Sequence, residues 1–337
     1  MYEALAPLAS PQALALLRLG AALSARGYRF ITPTPATQQR VNLRPGNEQA
    51  RNLRDIFGWS RPFRRETLDA ELFELMRRAD VLQAQGERWL SRVRWSSLGD
   101  QLFVHSRFPT DSADAVFFGP DTYRFVRMVR DHLQSHSHPL QRIVDIGCGA
   151  GPGALTAAML QPQAEVLALD INDQALAFTA VNACLGGVSN LVTRRSDLLR
   201  DVTGNFDLII ANPPYMLDAQ QRTYRHGGGK HGIGLSLKIF DAALERLTPG
   251  GTLLLYTGVA IFDNEDPFLN AIRPSLADIN WGWSYEEIDP DVFGEELEKP
   301  AYAYAERIAC VALKLTRPFP TAGADEQARQ AALLQSS

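Results

Sequence analysis

The sequence predicts an α/β protein in which a doubly wound, mostly parallel sheet follows a smaller amino-terminal domain. Three observations favour this fold class. The chain has 337 residues, which is more than one average domain needs. From about residue 121 onward, apolar segments with the spacing of strands alternate with segments that have the spacing of helices. A glycine-rich turn follows the first of these strands, where sheets of this class bring the backbone close to a ligand.

The composition is that of an ordinary folded protein, with 45% hydrophobic and 21% charged residues. No apolar run reaches the roughly 18 residues that a membrane span needs, and the amino-terminal segment lacks the layout of a signal peptide. We therefore expect a cytoplasmic protein without membrane contact. Cys148, Cys184 and Cys310 lie far apart and form no CxxC pair, so we expect reduced thiols and no metal site.

Charge is distributed unevenly along the chain. Residues 1–110 contain 16 Arg and no Lys against 10 acidic residues, whereas residues 111–337 contain 18 basic and 28 acidic residues. The resulting net charges of +6 and −10 add to the −4 of the whole chain. An excess of arginine is more often typical of a solvated surface than of contact with an anionic partner such as nucleic acid. The sequence leaves both interpretations open.

The amino-terminal part combines helical patterns with alternating segments. In chain order, the spacing predicts a core helix at 11–27, a short helix at 47–57, an amphipathic helix from Arg65 to Met76, and alternating segments at 89–95 and 101–105. Helices followed by a two-stranded wing resemble a winged-helix module over about 47–108, a shape used for contacts with DNA, RNA and protein. We expect residues 1–110 to form this smaller helical, winged-helix-like domain.

The larger domain is expected at 111–317, followed by a tail at 318–337 without chemistry. Its predicted helices lie at 121–134, 153–160, 173–184 and 235–247, and its predicted strands at 142–147, 165–170, 190–194, 206–211 and 251–257. Alternation of Trp281, Trp283 and Tyr285 predicts a further strand within the acid-rich segment 258–306.

The first strand of the larger domain leads into a turn at 147–151, with the sequence Gly-Cys-Gly-Ala-Gly. Glycines there allow the backbone to approach a ligand closely. Asp170 ends the next strand about 20 residues later, where a carboxylate can accept hydrogen bonds from both hydroxyl groups of a ribose. Together these features predict a nucleoside site. A dinucleotide site is the natural alternative, because residues 149–154 also fit the GxGxxA pattern.

An acid in the first strand separates the two alternatives. Asp145 precedes Gly147 by two residues, and a carboxylate there would repel a pyrophosphate. The resulting D-x-G-x-G-x-G motif resembles that of class I methyltransferases. The resemblance implies S-adenosylmethionine as the cofactor, with Asp197 placed against the adenine amino group. The cofactor contacts that we assign are Asp121, Thr122, Asp145, Gly147, Cys148, Gly149, Gly151, Asp170, Ile171, Asp197, Leu198 and Asn212.

The strongest motif, Asn212-Pro213-Pro214-Tyr215, directly follows the predicted strand 206–211 and resembles the signature of N-methyltransferases. Two prolines fix the loop, so that the Asn212 side-chain oxygen and the Pro213 carbonyl oxygen are placed to accept both hydrogens of a planar NH2 group. Stacking on Tyr215 would help to stabilise positive charge on that nitrogen. An isolated Asn-Pro-Pro turn would merely end a strand, but here it follows the glycine turn and Asp170 in the expected order. We assign all four residues to catalysis.

Residues 116–316 resemble the release-factor glutamine methyltransferases of the HemK type and related RNA base methyltransferases. The segment from Phe118 to Thr122 is similar to one that lies over the methionine end of the cofactor in HemK-type enzymes, although Asp121 is also placed to cap the following helix. Glycines at 227–232 predict a flexible loop beside the target site. Two departures leave the substrate open: the wing-like front, and Tyr256 where those enzymes commonly have an acid.

The resemblance implies methyl transfer to a macromolecule rather than to a small molecule. We rank a glutamine-type protein carboxamide first, an RNA or DNA base amine second and a small metabolite third. A noncatalytic module that binds S-adenosylmethionine is the alternative outside enzymes. Because the glycine turn and the acids that follow it lie beyond residue 140, we expect 1–110 to recognise the substrate. The acidic segment 258–306 would repel a phosphate backbone that the arginine-rich front would attract, so charge does not decide between protein and nucleic acid.

Overall fold

A computed structural model describes residues 10–136, 138–218, 222 and 224–320 of the chain. Most of the predicted tail lies outside these residues. The described amino-terminal part contains α1 (Pro11–Ala25), α2 (Pro35–Asn42), α3 (Leu53–Phe57), α4 (Ala70–Arg78), β1 (Leu82–Gln85), β2 (Arg88–Ser91), β3 (Val93–Leu98) and β4 (Gln101–Ser106).

The larger part alternates helices and strands, as predicted. Its elements are α5 (Pro120–Ser135), β5 (Arg142–Ile146), α6 (Pro152–Leu160), β6 (Glu165–Asp170), α7 (Asp173–Leu185), β7 (Leu191–Arg195), β8 (Phe206–Ala211), α8 (Gly234–Arg246), β9 (Leu247–Ile261), α9 (Pro267–Asp278), β10 (Gly282–Asp289) and β11 (Arg307–Thr316).

Helix α2 was not predicted from the sequence. It begins at Pro35, and the hydroxyl oxygen of Thr34 accepts a hydrogen bond from the N–H of Thr37 at 3.2 Å. A proline in the first helical position costs no hydrogen bond, because its missing N–H would have no partner there. In the sequence, however, Pro33 and Pro35 indicate the end of a helix as readily as its start. The short helix predicted at 47–57 is confined to α3.

Two hairpins follow α4, where a single two-stranded wing was predicted. The alternating segment 89–95 is divided between β2 and β3, because the chain bends at Arg92. The Arg92 N–H donates to the Val81 carbonyl at 2.8 Å, and the Ser91 hydroxyl donates to the Val93 carbonyl at 2.6 Å. As a result, β1 pairs only with β2, and β3 only with β4, in two antiparallel sheets of the described chain.

The amino-terminal part packs directly on the larger part. Helix α1 approaches at Gly20, where a Cβ would lie 2.5 Å from the Trp95 ring and 2.9 Å from Leu185 of α7. Asn182 of α7 is fully buried, and its side chain pairs with the N–H and the carbonyl of Val104 at 2.8 and 3.2 Å. One apolar core therefore continues across residue 110.

Among the described residues, the central sheet has seven strands in the order β10-β11-β9-β8-β5-β6-β7. Strands β9, β8, β5, β6 and β7 are parallel, and β11 is antiparallel to both of its neighbours. The chain winds outward from β5 to β7 and then returns to the other side of β5 as β8. Ligands of open α/β sheets bind outside the carboxyl ends of the strands at such a point. The Rossmann-like, doubly wound fold is thus confirmed.

The segment after β9 is more structured than its acidic composition indicated. The predicted strand around Trp283 is confirmed as β10. Before it lies α9, which was not predicted, and the Asp266 carboxylate caps it by accepting a hydrogen bond from the Leu269 N–H at 2.8 Å.

The described residues contain neither a membrane-spanning helix nor a candidate metal cluster. No helix in this part of the chain is long and apolar enough to cross a membrane. Nor does it contain a group of three or more His, Cys, Asp or Glu residues arranged to hold a metal ion. The three cysteines are unpaired thiols, with Cys148 and Cys310 buried and Cys184 exposed.

Substitution of Asn182 by alanine should lower the free energy of unfolding by about 2–4 kcal/mol, because buried backbone groups of Val104 and Ala150 lose their hydrogen-bond partner. Urea denaturation followed by circular dichroism measures this change. Gln83→Ala, at an exposed position of β1, is the control and should change it by less than about 0.5 kcal/mol. An Asn182→Ala protein as stable as the wild type would contradict the role of this side chain in joining the two parts.

Candidate active site

Four loops meet at the carboxyl edge of the sheet and line one cleft. They follow β5, β6, β7 and β8, and they contribute Gly149, Asp170, Asp197 and Asn212, respectively. Every residue that the sequence assigned to the site lines this cleft, with one exception. Gly151 lies behind the turn, where a Cβ would come within 2.7 Å of the Thr179 side chain.

The turn after β5 is fastened to the end of β6. The N–H groups of Gly147 and Cys148 both donate to the Leu169 carbonyl, at 2.8 and 2.9 Å. Gly147 and Gly149 have φ angles of +71° and +57°, in the left-handed region that favours glycine. A Cβ at Gly147 would meet no heavy atom of the described residues within 4 Å. This backbone is therefore open to a ligand.

Asp170 faces this turn. Its Oδ2 accepts a hydrogen bond from the Gly149 N–H at 3.0 Å, and its Oδ1 accepts one from the Asn172 N–H at 2.9 Å. Burial raises the pKa of Asp170, and these backbone hydrogen bonds oppose that effect. Each carboxylate oxygen can accept a second hydrogen bond. A vicinal diol, such as that of a ribose, is a suitable donor to this fixed carboxylate.

Asp145 lies beneath the same turn and is only 1% exposed. Its Oδ2 accepts a hydrogen bond from the Ala154 N–H at 2.9 Å, in the first turn of α6, where a negative charge is favourable. Burial raises the pKa of Asp145 to about 7. This carboxylate therefore fixes the start of α6 as well as forming part of the cleft wall.

At one end of the cleft, apolar side chains border an acid. Ile171 is 48% exposed directly after Asp170, and Leu198 has a left-handed φ of +56°. Asp197 lies beside them and forms an ion pair with Arg200. An apolar slot with an acceptor at its rim is suited to a flat heterocycle that carries an amino group.

One interpretation of the sequence was that Asp121 caps α5. In the structure it does not. The helix begins after Gly119, and the Thr122 hydroxyl oxygen accepts a hydrogen bond from the Gly119 N–H at 3.2 Å. The Asp121 side chain instead accepts hydrogen bonds from the hydroxyls of Tyr215 at 2.8 Å and Tyr256 at 3.2 Å. These contacts cross the core, so no local pattern predicts them.

The tetrapeptide leaves the sheet directly after β8 and brings Tyr215 against β9. Tyr215 is 8% exposed, and its ring lies on Gly258, where a Cβ would be 2.3 Å from two ring carbons. Burial raises the pKa of Tyr215 well above its ordinary value, so the side chain is a neutral phenol. Any side chain at position 258 would displace this ring.

The glycines at 227–232 pack against the tetrapeptide. The Gly227 N–H donates to the Met216 carbonyl at 2.9 Å. A Cβ at Gly227 would lie 2.7 Å from Tyr215 Cα, and one at Gly232, with φ of +80°, would lie 2.3 Å from the Tyr215 carbonyl oxygen. In the structure these glycines allow backbone to approach backbone and so support the tetrapeptide from behind. The flexibility of this loop stays a prediction.

The open end of the cleft is lined by aromatic side chains that the sequence did not single out. Phe117 and Tyr224 stack with ring centroids 6.4 Å apart and planes inclined by 12°. Phe293 lies 6.3 Å from the Tyr215 ring, and Pro35 of α2 also reaches this end. These residues come from four distant segments, so no motif marks them.

The seven-stranded, mostly parallel sheet is that of the Rossmann-like methyltransferase fold. Residues 126–260 match the family model described as the methyltransferase small domain. This part of the chain is similar to that family.

Known proteins that are similar to this chain include several methyltransferases. The chain is 32% identical over 197 residues to the release factor glutamine methyltransferase of Deinococcus radiodurans, covering 56% of this chain and 66% of that protein. It is 33% identical over 142 residues to the ribosomal protein uL3 glutamine methyltransferase of Bordetella pertussis, covering 39% and 46%. The solved M. jannaschii tRNA m1G37 methyltransferase is 18% identical with a TM-score of 0.46, over 68% of this chain and 58% of that one. The chain thus spans about two thirds, or less, of each relative.

Proposed function

We propose that this protein is an S-adenosylmethionine-dependent N-methyltransferase whose acceptor is the carboxamide nitrogen of a glutamine-type side chain in a protein. One observation carries the proposal: the tetrapeptide after β8 lies in the same cleft as the open glycine turn and the Asp170 carboxylate. The acceptor class is supported by the names of two relatives, which describe glutamine methylation in a release factor and in a ribosomal protein. An acceptor of this kind also favours a cytoplasmic location.

The cofactor fits the geometry of the cleft. Backbone that carries no side chain, a carboxylate for the ribose and an apolar slot for the adenine follow one another along the carboxyl edge. The residues that would hold S-adenosylmethionine are Thr122, Asp145, Gly147, Cys148, Gly149, Asp170, Ile171, Asp197, Leu198 and Asn212. When bound, S-adenosylmethionine supplies an electrophilic methyl group.

Asn212 and Pro213 compensate for a weak nucleophile. The lone pair of a carboxamide nitrogen is delocalised, but two acceptor oxygens that hold both N–H bonds turn the face of the nitrogen toward the methyl group. Positive charge that develops on nitrogen is then stabilised by these two oxygens and by the face of the Tyr215 ring. Because the Tyr215 phenol is neutral, it serves as a surface and not as a base.

The open end of the cleft favours an uncharged acceptor side chain. Its walls are aromatic, and the positive charge of Arg225 is balanced by an ion pair with the buried Glu296. A neutral carboxamide enters such a slot without leaving a buried charge unpaired. A base amine is the second candidate, and the arginine excess of residues 1–110 favours it.

We assign recognition of the macromolecular substrate to residues 1–110. Helix α2 starts at the cleft with Pro35 and leads away from it toward Leu43, which is 76% exposed between the exposed Arg40 and Arg44. Ile31, which precedes α2 in the chain, is 65% exposed. A partner docked on these two apolar side chains would contact the segments on either side of Pro35, which lines the cleft.

Leu43→Asp should raise the KM for the protein substrate by about 10-fold, since it places a charge in an apolar contact. The affinity for S-adenosylhomocysteine should not change, because Leu43 lies outside the cleft. Steady-state kinetics and calorimetry measure the two quantities. Leu160→Asp, at a partly exposed position of α6 away from the proposed surface, is the matched control. An unchanged KM in Leu43→Asp would argue against docking at this surface.

Asp170→Ala should weaken the binding of S-adenosylhomocysteine by at least about 30-fold, because both ribose hydroxyls lose their charged acceptor. Isothermal titration calorimetry measures this affinity. Asp173→Ala, on the exposed first turn of α7, removes a carboxylate three residues away and should leave the affinity unchanged. Equal affinities for the wild type and Asp170→Ala would exclude the proposed ribose contact.

Labelling of a cell extract tests the proposed acceptor. The protein is incubated with methyl-labelled S-adenosylmethionine and extract that has been treated with either protease or nuclease. Protease should remove the labelled acceptor and nuclease should not. Asn212→Ala should reduce labelling by at least about 100-fold, because one of the two acceptors of the NH2 group is lost. Asn205→Ala, an exposed position before β8, is the control. Loss of label with nuclease alone would reject the carboxamide and favour the base amine.

A further inference from the structure

Asp121 is the point where four separate elements meet. It is 4% exposed, and each of its oxygens accepts a hydrogen bond from a tyrosine: Oδ2 from Tyr215 at 2.8 Å and Oδ1 from Tyr256 of β9 at 3.2 Å. The Cys310 thiol of β11 also donates to Oδ1, at 3.7 Å. Asp121 itself belongs to α5, so one carboxylate joins this helix to the tetrapeptide and to two strands.

A single described cation faces this carboxylate, and it is shared. Arg124, one helical turn after Asp121, lies 3.3 Å from its Oδ1 and 2.6 Å from Oδ2 of Asp289 in β10. Burial raises the pKa of Asp121, while the Tyr215 hydrogen bond and the charge of Arg124 oppose that effect. The tyrosine hydroxyls therefore stabilise the Asp121 carboxylate in addition to the guanidinium of Arg124, which is shared with Asp289.

The contacts of Tyr215 fix its ring in two independent ways. Gly258 supports one face of the ring, since any Cβ there would lie 2.3 Å from two ring carbons. The hydroxyl at the far end of the ring is held by Asp121. The first contact limits how far the ring moves toward β9, and the second limits how it tilts about the tetrapeptide backbone.

We propose that Asp121 is a positioning residue for methyl transfer, which holds the Tyr215 ring in the orientation that faces the acceptor nitrogen. This inference rests on the proposed function of the cleft. It gives Asp121 a role on the tetrapeptide side of the cleft, through the two tyrosine hydroxyls that its oxygens hold, rather than in contact with the cofactor. Stabilisation of a cation by an aromatic ring requires the charge to lie over the ring face, within about 6 Å of its centroid, so a change of tilt is costly.

The same network accounts for Tyr256. The resemblance to HemK-type enzymes implies an acid at this position of β9, and this chain has a tyrosine. In the structure its hydroxyl reaches the acid of α5 and supplies that acid with a second donor. Tyr256 thus opposes the effect of burial on the Asp121 pKa and helps to hold this carboxylate in place.

Kinetics of Asp121→Asn and Tyr215→Phe test the link. Each variant should lower kcat by about 10-fold, and the double variant should lower it no further. Tyr215→Phe removes the donor and Asp121→Asn removes the charge of the acceptor, so both changes act on one hydrogen bond. The dissociation constant of S-adenosylhomocysteine should stay within about 3-fold of the wild-type value. A decrease in kcat of about 100-fold in the double variant, which is the product of the two single effects, would overturn the proposal. So would a loss of cofactor affinity above about 10-fold in Asp121→Asn, which would make Asp121 a cofactor ligand.

The pH dependence of kcat gives a second readout, which a purely structural role would not alter. The groups that face Asp121 are Tyr215, Tyr256, Cys310 and Arg124, with Asp289 behind Arg124. Protonation of Asp121 removes an acceptor, so wild-type kcat should fall as the pH decreases through the raised pKa of this group. In Tyr215→Phe this acidic limb should disappear. The same limb in both proteins would contradict the link, and this variant leaves the buried carboxylate intact where Asp121→Asn fails to fold.

A measurement without turnover separates this inference from the proposed function. With 3-fluorotyrosine placed at position 215, the fluorine resonance should shift or broaden in Asp121→Asn. The same label at Tyr304, which is 89% exposed, should be unaffected. An unchanged resonance at 215 would overturn the inference. If the wild type labels no acceptor in any extract, the proposed function fails, while the fluorine spectrum still decides whether Asp121 holds Tyr215.

Discussion

The parallel pairing of β5 with β8 is the constraint on which the site depends. Ile146 pairs with Ala211 at the end of this ladder, so Gly147 and Asn212 leave the sheet side by side. A slip of one residue would move one loop by about 3.3 Å along the other and would turn its side chains to the opposite face. The backbone hydrogen bonds of the two strands therefore set the distance between the glycine turn and the tetrapeptide.

Close backbone packing extends this control to the tetrapeptide. Gly227 and Gly232 bring a neighbouring loop against Tyr215 from behind, and Gly258 brings β9 under its ring. Two prolines restrict the tetrapeptide from within. Acceptor oxygens held in this way lose little further freedom when a substrate binds, which is the condition under which positioning accelerates a reaction. The glycines around the tetrapeptide therefore help to hold it in place, as well as leaving room for a ligand.

The features that the sequence predicted are those encoded by neighbouring residues. The glycine turn, Asp170 and the tetrapeptide are each recognisable from a few consecutive residues. The alternation of helical and strand patterns predicted the parallel sheet. Long-range contacts were not legible: Asp121 was placed in the site, but its partners lie 94 and 135 residues away. The sequence predicted one alternating segment at 89–95, where the structure has parts of two strands, β2 and β3. An alternating pattern is the same for one strand as for two strands that meet at a bend. Helix α2 was missed because proline marks both ends of helices.

The charge of the cleft matches the chemistry proposed for it. Asp121, Asp145 and Asp170 line one cavity, and burial raises the pKa of each. Within the described ranges, only Asp121 has a basic side chain within 4.0 Å. A positively charged ligand would favour the ionised carboxylates, and these in turn would favour its binding. S-adenosylmethionine carries a positive sulfonium, whereas the sulfur of its demethylated product is neutral. Under the proposed function, methyl transfer would remove the charge that the buried acids attract, and this loss would favour exchange of the product for fresh cofactor.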